Sequence, residues 1–221
     1  MYFDWKYPIK NFGELLGGVL ITLELTTLCF ILSSCFGLIL GIIRYTKCNK
    51  IIYSIATTYI ELVRNTPFLV QLYFIYYGLS QYNIRISATC AAIFTLSANS
   101  AAYLAEIFRA GIQSVPKGQW EAGMTIQLTK GQMFFKIILP QALKNVFPSI
   151  TNQCVIMLFA TSICSIVDVR DLTQIISVLN SRSYRSLELF GTGMIMYYII
   201  AVIIIYAFSR LNKHFFNYST K

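Results

Sequence analysis

The chain has 221 residues, of which 56% are hydrophobic and only 12% are charged. A soluble domain of this length needs more charge to cover its surface, so the composition excludes an ordinary soluble protein. The formal net charge is +9. Anionic lipid headgroups and membrane topology account for this excess, and we expect no nucleic-acid partner.

Five charge-free runs predict five transmembrane helices, at residues 25–43, 65–84, 86–105, 145–167 and 189–209. About 20 helical residues cross the roughly 30 Å hydrocarbon core, and each run reaches that length. We therefore predict an all-α integral membrane protein. Residues 1–16 form a short outer segment without a signal-peptide pattern, and residues 17–221 form the membrane domain.

The distribution of cations predicts the orientation. With five spans, one side carries eleven cations: Arg44, Lys47, Lys50, Arg109, Lys117, Lys130, Lys136, Lys144, Arg210, Lys213 and Lys221. The other side carries six: Lys6, Lys10, Arg85, Arg170, Arg182 and Arg185. The positive-inside rule then places the N-terminus outside, and the loop 109–144 and the C-terminus in the cytoplasm.

Metal-ligand and catalytic patterns are missing from the sequence. The only histidine is His214, and no CxxC or Cys/His spacing connects the six cysteines, Cys29, Cys35, Cys48, Cys90, Cys154 and Cys164. We interpret the cysteines as small apolar packing residues. A membrane-embedded enzyme and a metal site are not expected.

Charged residues within or beside the spans are candidates for function, since each costs about 2.5–3.5 kcal/mol at mid-bilayer. Glu61 and Arg64, and likewise Glu106 and Arg109, are spaced i, i+3 and are expected to pair on one helix face. Such a pair either fixes the depth of a helix or takes part in a pathway or gate. Glu24 is expected to reach the outer interface.

The predicted inner loop contains two short helices. Pro116 marks a helix start, and the pattern predicts helices at 119–128 and 132–139, with the second ending at Pro140. On the other side, the mixed segment 168–187 predicts an amphipathic helix across the outer mouth.

The inner loop also carries a motif. Glu121-Ala122-Gly123 is followed by Ile137 and by Leu139-Pro140. This spacing resembles the cytoplasmic EAA loop of ABC-importer permeases, EAA-x3-G-x9-I-x-L-P. In that family the loop is where the permease binds its ATPase.

Further segments match in order and extend the resemblance over residues 22–206. They are RNTPFLVQ at 64–71, ANSAAYLAEIFRAGI at 98–112, SVPKGQWEA at 114–122, TSI at 161–163 and DL at 171–172. These segments resemble the permeases of polar amino-acid importers, those for histidine, arginine and glutamine. Pro67 within the second span predicts a broken helix, which is tolerated where it lines a cavity.

The resemblance implies a type I ABC-importer permease in the bacterial inner membrane, acting as a dimer with an identical or related chain. It implies two ATPase subunits, which bind ATP and Mg, and an extracytoplasmic amino-acid-binding protein, with no cofactor in this chain. The implied coupling residues are Glu121, Ala122, Gly123, Gln127, Lys130, Gly131, Leu139 and Pro140.

Two positions of the loop depart from the motif. Gly123 replaces the second alanine, and Gln127 occupies the position of the glycine that would permit a tight bend. We expect Gly131 to supply the bend instead. Docking of the ATPase should survive, because it depends on helical shape and on Glu121 with its neighbours.

An amino-acid substrate needs donors for its carboxylate and acceptors for its ammonium group. The candidate pathway residues are Thr66, Gln71, Asn99, Ser100, Glu106, Thr161, Ser162 and Asp168. For the uncharged ones, hydrogen bonding between helices is the alternative. Asp168 stands where the family usually has glycine, which favours a basic substrate (arginine, lysine or histidine) unless it pairs with Arg170 or Arg185.

Other functions stay open at this point. Glu24, Glu61 and Glu106 could form the relay of an ion-coupled carrier or a channel, although five spans do not divide evenly into inverted repeats. The substrate could be another amino acid, such as glutamine, glutamate or cystine. An exporter that works without a binding protein is a third alternative.

Overall fold

The structure is a computed structural model that describes residues 5–47 and 49–216. All regular elements in those two ranges are helical, which confirms the predicted all-α class. Cys48, Lys221 and the first four residues of the predicted outer segment lie outside the described residues.

The chain begins with a short helix and a very long one, α1 (Lys6–Lys10) and α2 (Phe12–Thr46). Helix α2 starts inside the predicted outer segment 1–16. Its 35 residues correspond to about 50 Å, more than the thickness of a hydrocarbon core. It ends at Lys47, whose φ of 50° is left-handed.

The next helices form a broken rod. Helix α3 (Lys50–Arg64) is capped by the side chain of Asn49, and α4 (Phe68–Tyr73) continues through a π-helical turn (Phe74–Gly78) into α5 (Leu79–Gln81). Pro67 separates α3 from α4 because it has no N–H and disfavours helical geometry in the preceding residue. The predicted span 65–84 therefore corresponds to the helical residues 68–81, and α3 precedes it as a separate helix.

Helix α6 (Ala88–Gln113), capped by Ser87, packs closely against α2. A Cβ atom on Gly37 would lie 2.8 Å from Leu104 Cβ, and one on Gly41 would lie 2.8 Å from the Ala105 carbonyl oxygen. Small residues on facing helices permit this approach of the two backbones. Helices α2 and α6 form the centre of the fold.

The inner loop and the following helix differ from the prediction. Helix α7 (Lys117–Thr125) follows Pro116 as expected, whereas α8 (Lys130–Met133), a π-helical turn (Phe134–Ile138) and α9 (Leu139–Cys164) form one continuous helix. The predicted end at Pro140 is wrong. The π-helical turn ends directly before α9, so Pro140 lies in the first turn of α9. A proline there has no N–H, but in a first turn no regular backbone hydrogen bond depends on it.

The last helices enclose the N-terminal half of α2. A 3₁₀ turn (Ser165–Val167) leads to α10 (Leu172–Ser183) and then to α11 (Ser186–Phe216). The predicted amphipathic helix is confirmed, since α10 buries Leu172, Ile176 and Leu179. It contacts α2 at Gly18 and α11 at Gly193, where a side chain would meet α10.

Within the described residues, four helices are long and apolar enough to cross a membrane: α2, α6, the continuous helix Lys130–Val167, and α11. The second predicted span, 65–84, is too short as a helix to be one of them, because it begins only after Pro67 and ends at Gln81. The count of five spans and the orientation therefore stay predictions.

Candidate functional site

Helix α7 is held against the ends of two long helices. The Trp120 ring stacks on the Tyr45 ring of α2, with centroids 6.3 Å apart and planes at 19°. On the other side, Gln141 Nε2 of α9 donates to Gln119 Oε1 over 3.3 Å, and Asn145 Nδ2 donates to Ser114 Oγ over 2.9 Å. Helix α7 therefore contacts both α2 and α9.

The opposite face of α7 is open. Glu121 and Ala122 are exposed, and so are the apolar side chains of Met124 and Ile126, at 60% and 65%. In the described part of the chain, the Glu121 carboxylate has no hydrogen-bond or ion-pair partner. This combination of an open carboxylate and apolar side chains is typical of a surface that binds another protein.

The buried face of α7 explains one departure from the motif. Gly123 lies against Met133, and a Cβ atom there would sit 2.7 Å from the Met133 sulfur. An alanine would therefore require Met133 to move. Gly123 and Met133 together let α7 and α8 pack closely.

The bend between α7 and α8 occurs at Gln127, which has a left-handed φ of 57°. The expectation that Gly131 supplies this bend is wrong, because Gly131 lies within α8 and has no positive φ. Backbone hydrogen bonds hold the bend, from Gln127 N to Met124 O and from Leu128 N to Gly123 O. A glutamine thus adopts the conformation for which glycine is the usual residue.

The remaining residues of the motif lie on the helix that follows. A capping box between Thr129 and Gln132 starts α8. Lys130, Gly131 and Pro140 are exposed, and Leu139 is half-buried. The structure therefore brings the eight predicted coupling residues into one helical corner, α7 to α9.

Three predicted pathway residues meet at the break between α3 and α4. Gln71 Nε2 donates to the Val63 carbonyl over 2.8 Å and to Thr66 Oγ1 over 2.7 Å, and Asn99 Nδ2 of α6 donates to Gln71 Oε1 over 3.0 Å. The first of these bonds satisfies the Val63 carbonyl, which Pro67 leaves without a helical partner. We call Thr66, Gln71 and Asn99 the amide joint.

A groove of about 340 Å³ opens beside the amide joint. Its lining is mostly apolar and includes Tyr59, Phe74, Thr95 and Ala98 together with Thr66 and Gln71. A few polar groups on an apolar wall are what a small polar ligand with a carbon skeleton requires.

The other uncharged candidates do not join this group. Ser100 and Thr161 are buried, and Thr161 Oγ1 donates to the Leu158 carbonyl over 2.7 Å within its own helix. Ser162 Oγ donates to the Phe159 carbonyl over 2.6 Å. Ser162 lies beside a second groove, between α9 and α11.

Ionised side chains join the ends of α2, α3 and α6. Arg44 donates to Glu106 and lies 3.3 Å from Glu61, measured from Nη2 to Oε1. Glu106 also pairs with Arg109 at 3.0 Å and with Arg64 at 3.9 Å. We call Arg44, Glu61, Arg64, Glu106 and Arg109 the arginine cluster.

The predicted pairings are half right. Glu106 pairs with Arg109 as expected, but Glu61 pairs with Arg44 of α2 and not with Arg64. Arg64 instead lies over the Tyr103 ring, 5.3 Å from its centroid, and reaches Glu106. Glu24 has an exposed side chain on α2.

Asp168 has a local partner other than the two arginines considered above. It is exposed, has a left-handed φ of 67°, and its Oδ1 accepts from Gln174 Nε2 over 2.6 Å. In the described part of the chain it forms no ion pair with Arg170 or Arg185. Its backbone conformation explains why glycine suits this position.

Nearby Asp171 is fully buried and structural. It caps α10 through Gln174 N and accepts from the Tyr197 hydroxyl over 3.1 Å. Burial raises the pKa of the Asp171 carboxyl, and these hydrogen bonds oppose the rise.

Sequence reasoning missed several functional residues. The sequence indicates Arg44 only as a topology signal and gives no signal for the contact of Tyr45 with Trp120. Within the described residues, no group of three or more His, Cys, Asp or Glu side chains could hold a metal ion.

Comparison with known proteins gives a consistent result. Residues 33–217 match the family of binding-protein-dependent transport system inner membrane components. The octopine transport system permease protein OccM of Rhizobium radiobacter is 34% identical over 96% of this chain and 89% of its own length. The glutamine transport system permease protein GlnP of Escherichia coli K12 is 32% identical over 96% of this chain and 98% of its own.

The arginine transport system permease protein ArtQ of Bacillus subtilis is 31% identical over 92% of this chain and 93% of its own. Among solved structures, an amino acid ABC transporter crystallised with histidines superposes with a TM-score of 0.90 at 34% identity, over 97% of this chain and all of the other. The MetNI methionine ABC transporter, at 20% identity and a TM-score of 0.81 over 93% and 98% of the two chains, shows the same fold. The chain therefore belongs to the family of binding-protein-dependent transport system inner membrane components: it is a multi-pass inner-membrane permease subunit similar to those of amino-acid ABC transporters.

Proposed function

We propose that this chain forms the membrane pathway of an ATP-driven importer of amino acids. A separate ATPase docks on α7 from the cytoplasm, a binding protein delivers the amino acid at the opposite side, and a second permease subunit, identical or related, completes the pathway. ATP and Mg bind to the ATPase, and this chain carries out no covalent chemistry.

The observation that carries this proposal is the way in which α7 packs against two long helices and leaves its other face exposed. The helix presents Glu121 and the apolar pair Met124 and Ile126 outwards, while Trp120 and Gln119 connect it to α2 and α9. A partner that binds the open face can therefore move two long helices at once. A surface loop without a partner would need neither the stacked rings nor the exposed apolar side chains.

Reversal of the Glu121 charge tests this docking. We expect Glu121→Arg to reduce co-purification of the co-expressed ATPase about tenfold, because a charge at the centre of the contact changes sign. Glu14→Arg, at the distant N-terminal end of α2, is the matched control and should keep the ATPase bound. Equal retention of the ATPase by both variants would contradict the docking surface.

For the substrate pathway we propose the amide joint and its groove. Thr66 and Gln71 line the groove, and Asn99 is bonded to Gln71 behind it. When a substrate displaces the bonds among these side chains, the hydroxyl and amide groups match the carboxylate and ammonium groups of an amino acid. The apolar wall beside them suits the carbon skeleton. Glu106 is less suited to substrate, since three arginines already share its carboxylate.

Within the amino acids we propose a basic substrate. The support is the exposed carboxylate of Asp168, which would attract a cationic side chain. The relatives transport octopine, glutamine and arginine by name, so they do not discriminate between substrates.

Competition for uptake tests the substrate. We expect Asp168→Asn to lower the preference for arginine over glutamine about tenfold, because the attraction between opposite charges is removed. Asp168→Gly provides a second variant with no carboxylate and a relaxed backbone. An unchanged arginine preference in both variants would exclude Asp168 as the source of selectivity.

A further inference from the structure

The arginine cluster has two unequal halves. Arg44 and Glu106, which join α2 to α6, are only 16% and 17% exposed at their side chains. Glu61 and Arg64, which both belong to α3, are 62% and 39% exposed. The half that joins α2 to α6 is sheltered, whereas the half that holds α3 is open to solvent.

The helices around the cluster approach each other in two different ways. Helices α2 and α6 meet at Gly37 and Gly41, where the backbones leave no room for a Cβ atom. A displacement of one helix against the other would break this close contact. Helix α3 packs Ile60 and Val63 against Ala102 and Ala105 of α6. Its ion pairs join Arg64 to Glu106 of α6 and Glu61 to Arg44 of α2. Two tyrosines add hydrogen bonds, from Tyr59 Oη to the Ala98 carbonyl over 2.6 Å and from Tyr103 Oη to the Arg64 carbonyl over 3.4 Å.

Helix α3 is also mechanically separate from the helix that follows. Pro67 interrupts the backbone ladder between α3 and α4, and side chains of the amide joint replace the missing bonds. Side-chain hydrogen bonds can exchange partners more easily than a continuous helix can bend. Helix α3 can therefore change its angle without carrying α4.

We propose that Glu61 and Arg64 form a releasable latch, which holds α3 against the rigid pair of α2 and α6 and opens during the transport cycle. The inference rests on the proposed importer function and identifies the part of the chain that moves. A contact made in only one of two states stabilises that state, so its removal shifts the population towards the other. Exposed ion pairs are weak enough to open and reform.

Hydrogen exchange on the full chain in lipid nanodiscs tests the latch without any partner protein. The double variant Glu61→Gln, Arg64→Gln should exchange the amides of Lys50–Arg64 about three- to tenfold faster than the wild type, with α2 and α6 unchanged. Lys50→Gln, which removes an exposed charge at the other end of α3, is the matched control. Exchange in α3 equal to that of the control, or an equal rise in α2 and α6, overturns the latch.

Coupling in the assembled transporter gives the second measurement. With the ATPase and the loaded binding protein present, we expect the double variant to hydrolyse about two- to fivefold more ATP per imported molecule than Lys50→Gln. The reason is that the position of α3 is then no longer tied to one of the two states of the transport cycle. An unchanged ratio overturns a role in transport. If the wild-type chain does not bind the ATPase, the proposed function fails, whereas the exchange result stands independently.

Discussion

Two contacts of α6 illustrate opposite ways to join helices in this protein. Against α2, the backbones touch at Gly37 and Gly41, and the ion pair of Arg44 with Glu106 is sheltered. At the break between α3 and α4, the connection is made by Gln71 with Asn99 and by Arg64 with Glu106. Buried apolar residues of α3 pack beside them. The first contact depends on backbone shape, and the second adds hydrogen bonds and charge to apolar packing.

The difference teaches where the molecule can change its conformation. A close-packed backbone contact has no alternative arrangement of similar energy, because any displacement loses many van der Waals contacts at once. Amide and ion-pair contacts can be exchanged one by one for water or for a ligand. We therefore expect large effects of substitution at the first contact and moderate ones at the second.

The largest effect is expected at the glycine contact. Gly41→Leu should lower the free energy of unfolding by about 3 kcal/mol or more, because its Cβ alone would lie 2.8 Å from the Ala105 oxygen. Thermal unfolding in detergent measures this. Gly17→Leu on the same helix, with nothing within 4 Å, is the control and should change stability by less than about 0.5 kcal/mol. Similar losses in both variants would show that shape does not dominate at α2 and α6.

A moderate effect is expected at the amide joint. Gln71→Ala leaves the Val63 carbonyl and the Asn99 amide without partners, and we expect a loss of about 1–3 kcal/mol in the same unfolding assay. If the joint binds substrate, the uptake rate per folded transporter should also fall. The control is Gln81→Ala, at the exposed end of α5. Equal behaviour of the two variants would remove the amide joint from both roles.

The smallest effect is a gain in stability, and it is expected at the bend between α7 and α8. Gln127→Gly should raise the free energy of unfolding by about 1 kcal/mol, because glycine adopts a positive φ without steric cost. Met124→Gly, within α7, should lower it by a similar amount, since glycine weakens a helix interior. Loss of stability in Gln127→Gly would mean that the glutamine side chain contributes more than its backbone costs.

Much of the site follows from local sequence. Pro116 and Pro67 predict a helix start and a helix break because proline restricts its own backbone and that of its neighbour. The spacing from Glu121 to Pro140 predicts one coupling loop, and the structure brings these residues into one corner. Asp168 departs from a family glycine, and the sequence indicates only its charge at this position; the positive φ is shown by the structure.

Contacts between distant segments could not be predicted in this way. Arg44 pairs with Glu106 because α2 and α6 are close at Gly41, and no local pattern reports that distance. Helical spacing alone predicts Arg64 as the partner of Glu61, and this prediction is wrong. The same limit applies to the contact of Tyr45 with Trp120, which lie 6.3 Å apart between ring centroids.

The sequence by itself determined the membrane class, the helical composition and the family loop, because hydrophobic runs and residue spacing are local properties of a chain. Only the tertiary structure decided that the helix continues through Pro140, that Gln127 makes the bend, and which arginines share Glu106. These features depend on how helices approach one another, and that approach is set by the sum of many weak contacts between segments far apart in the chain.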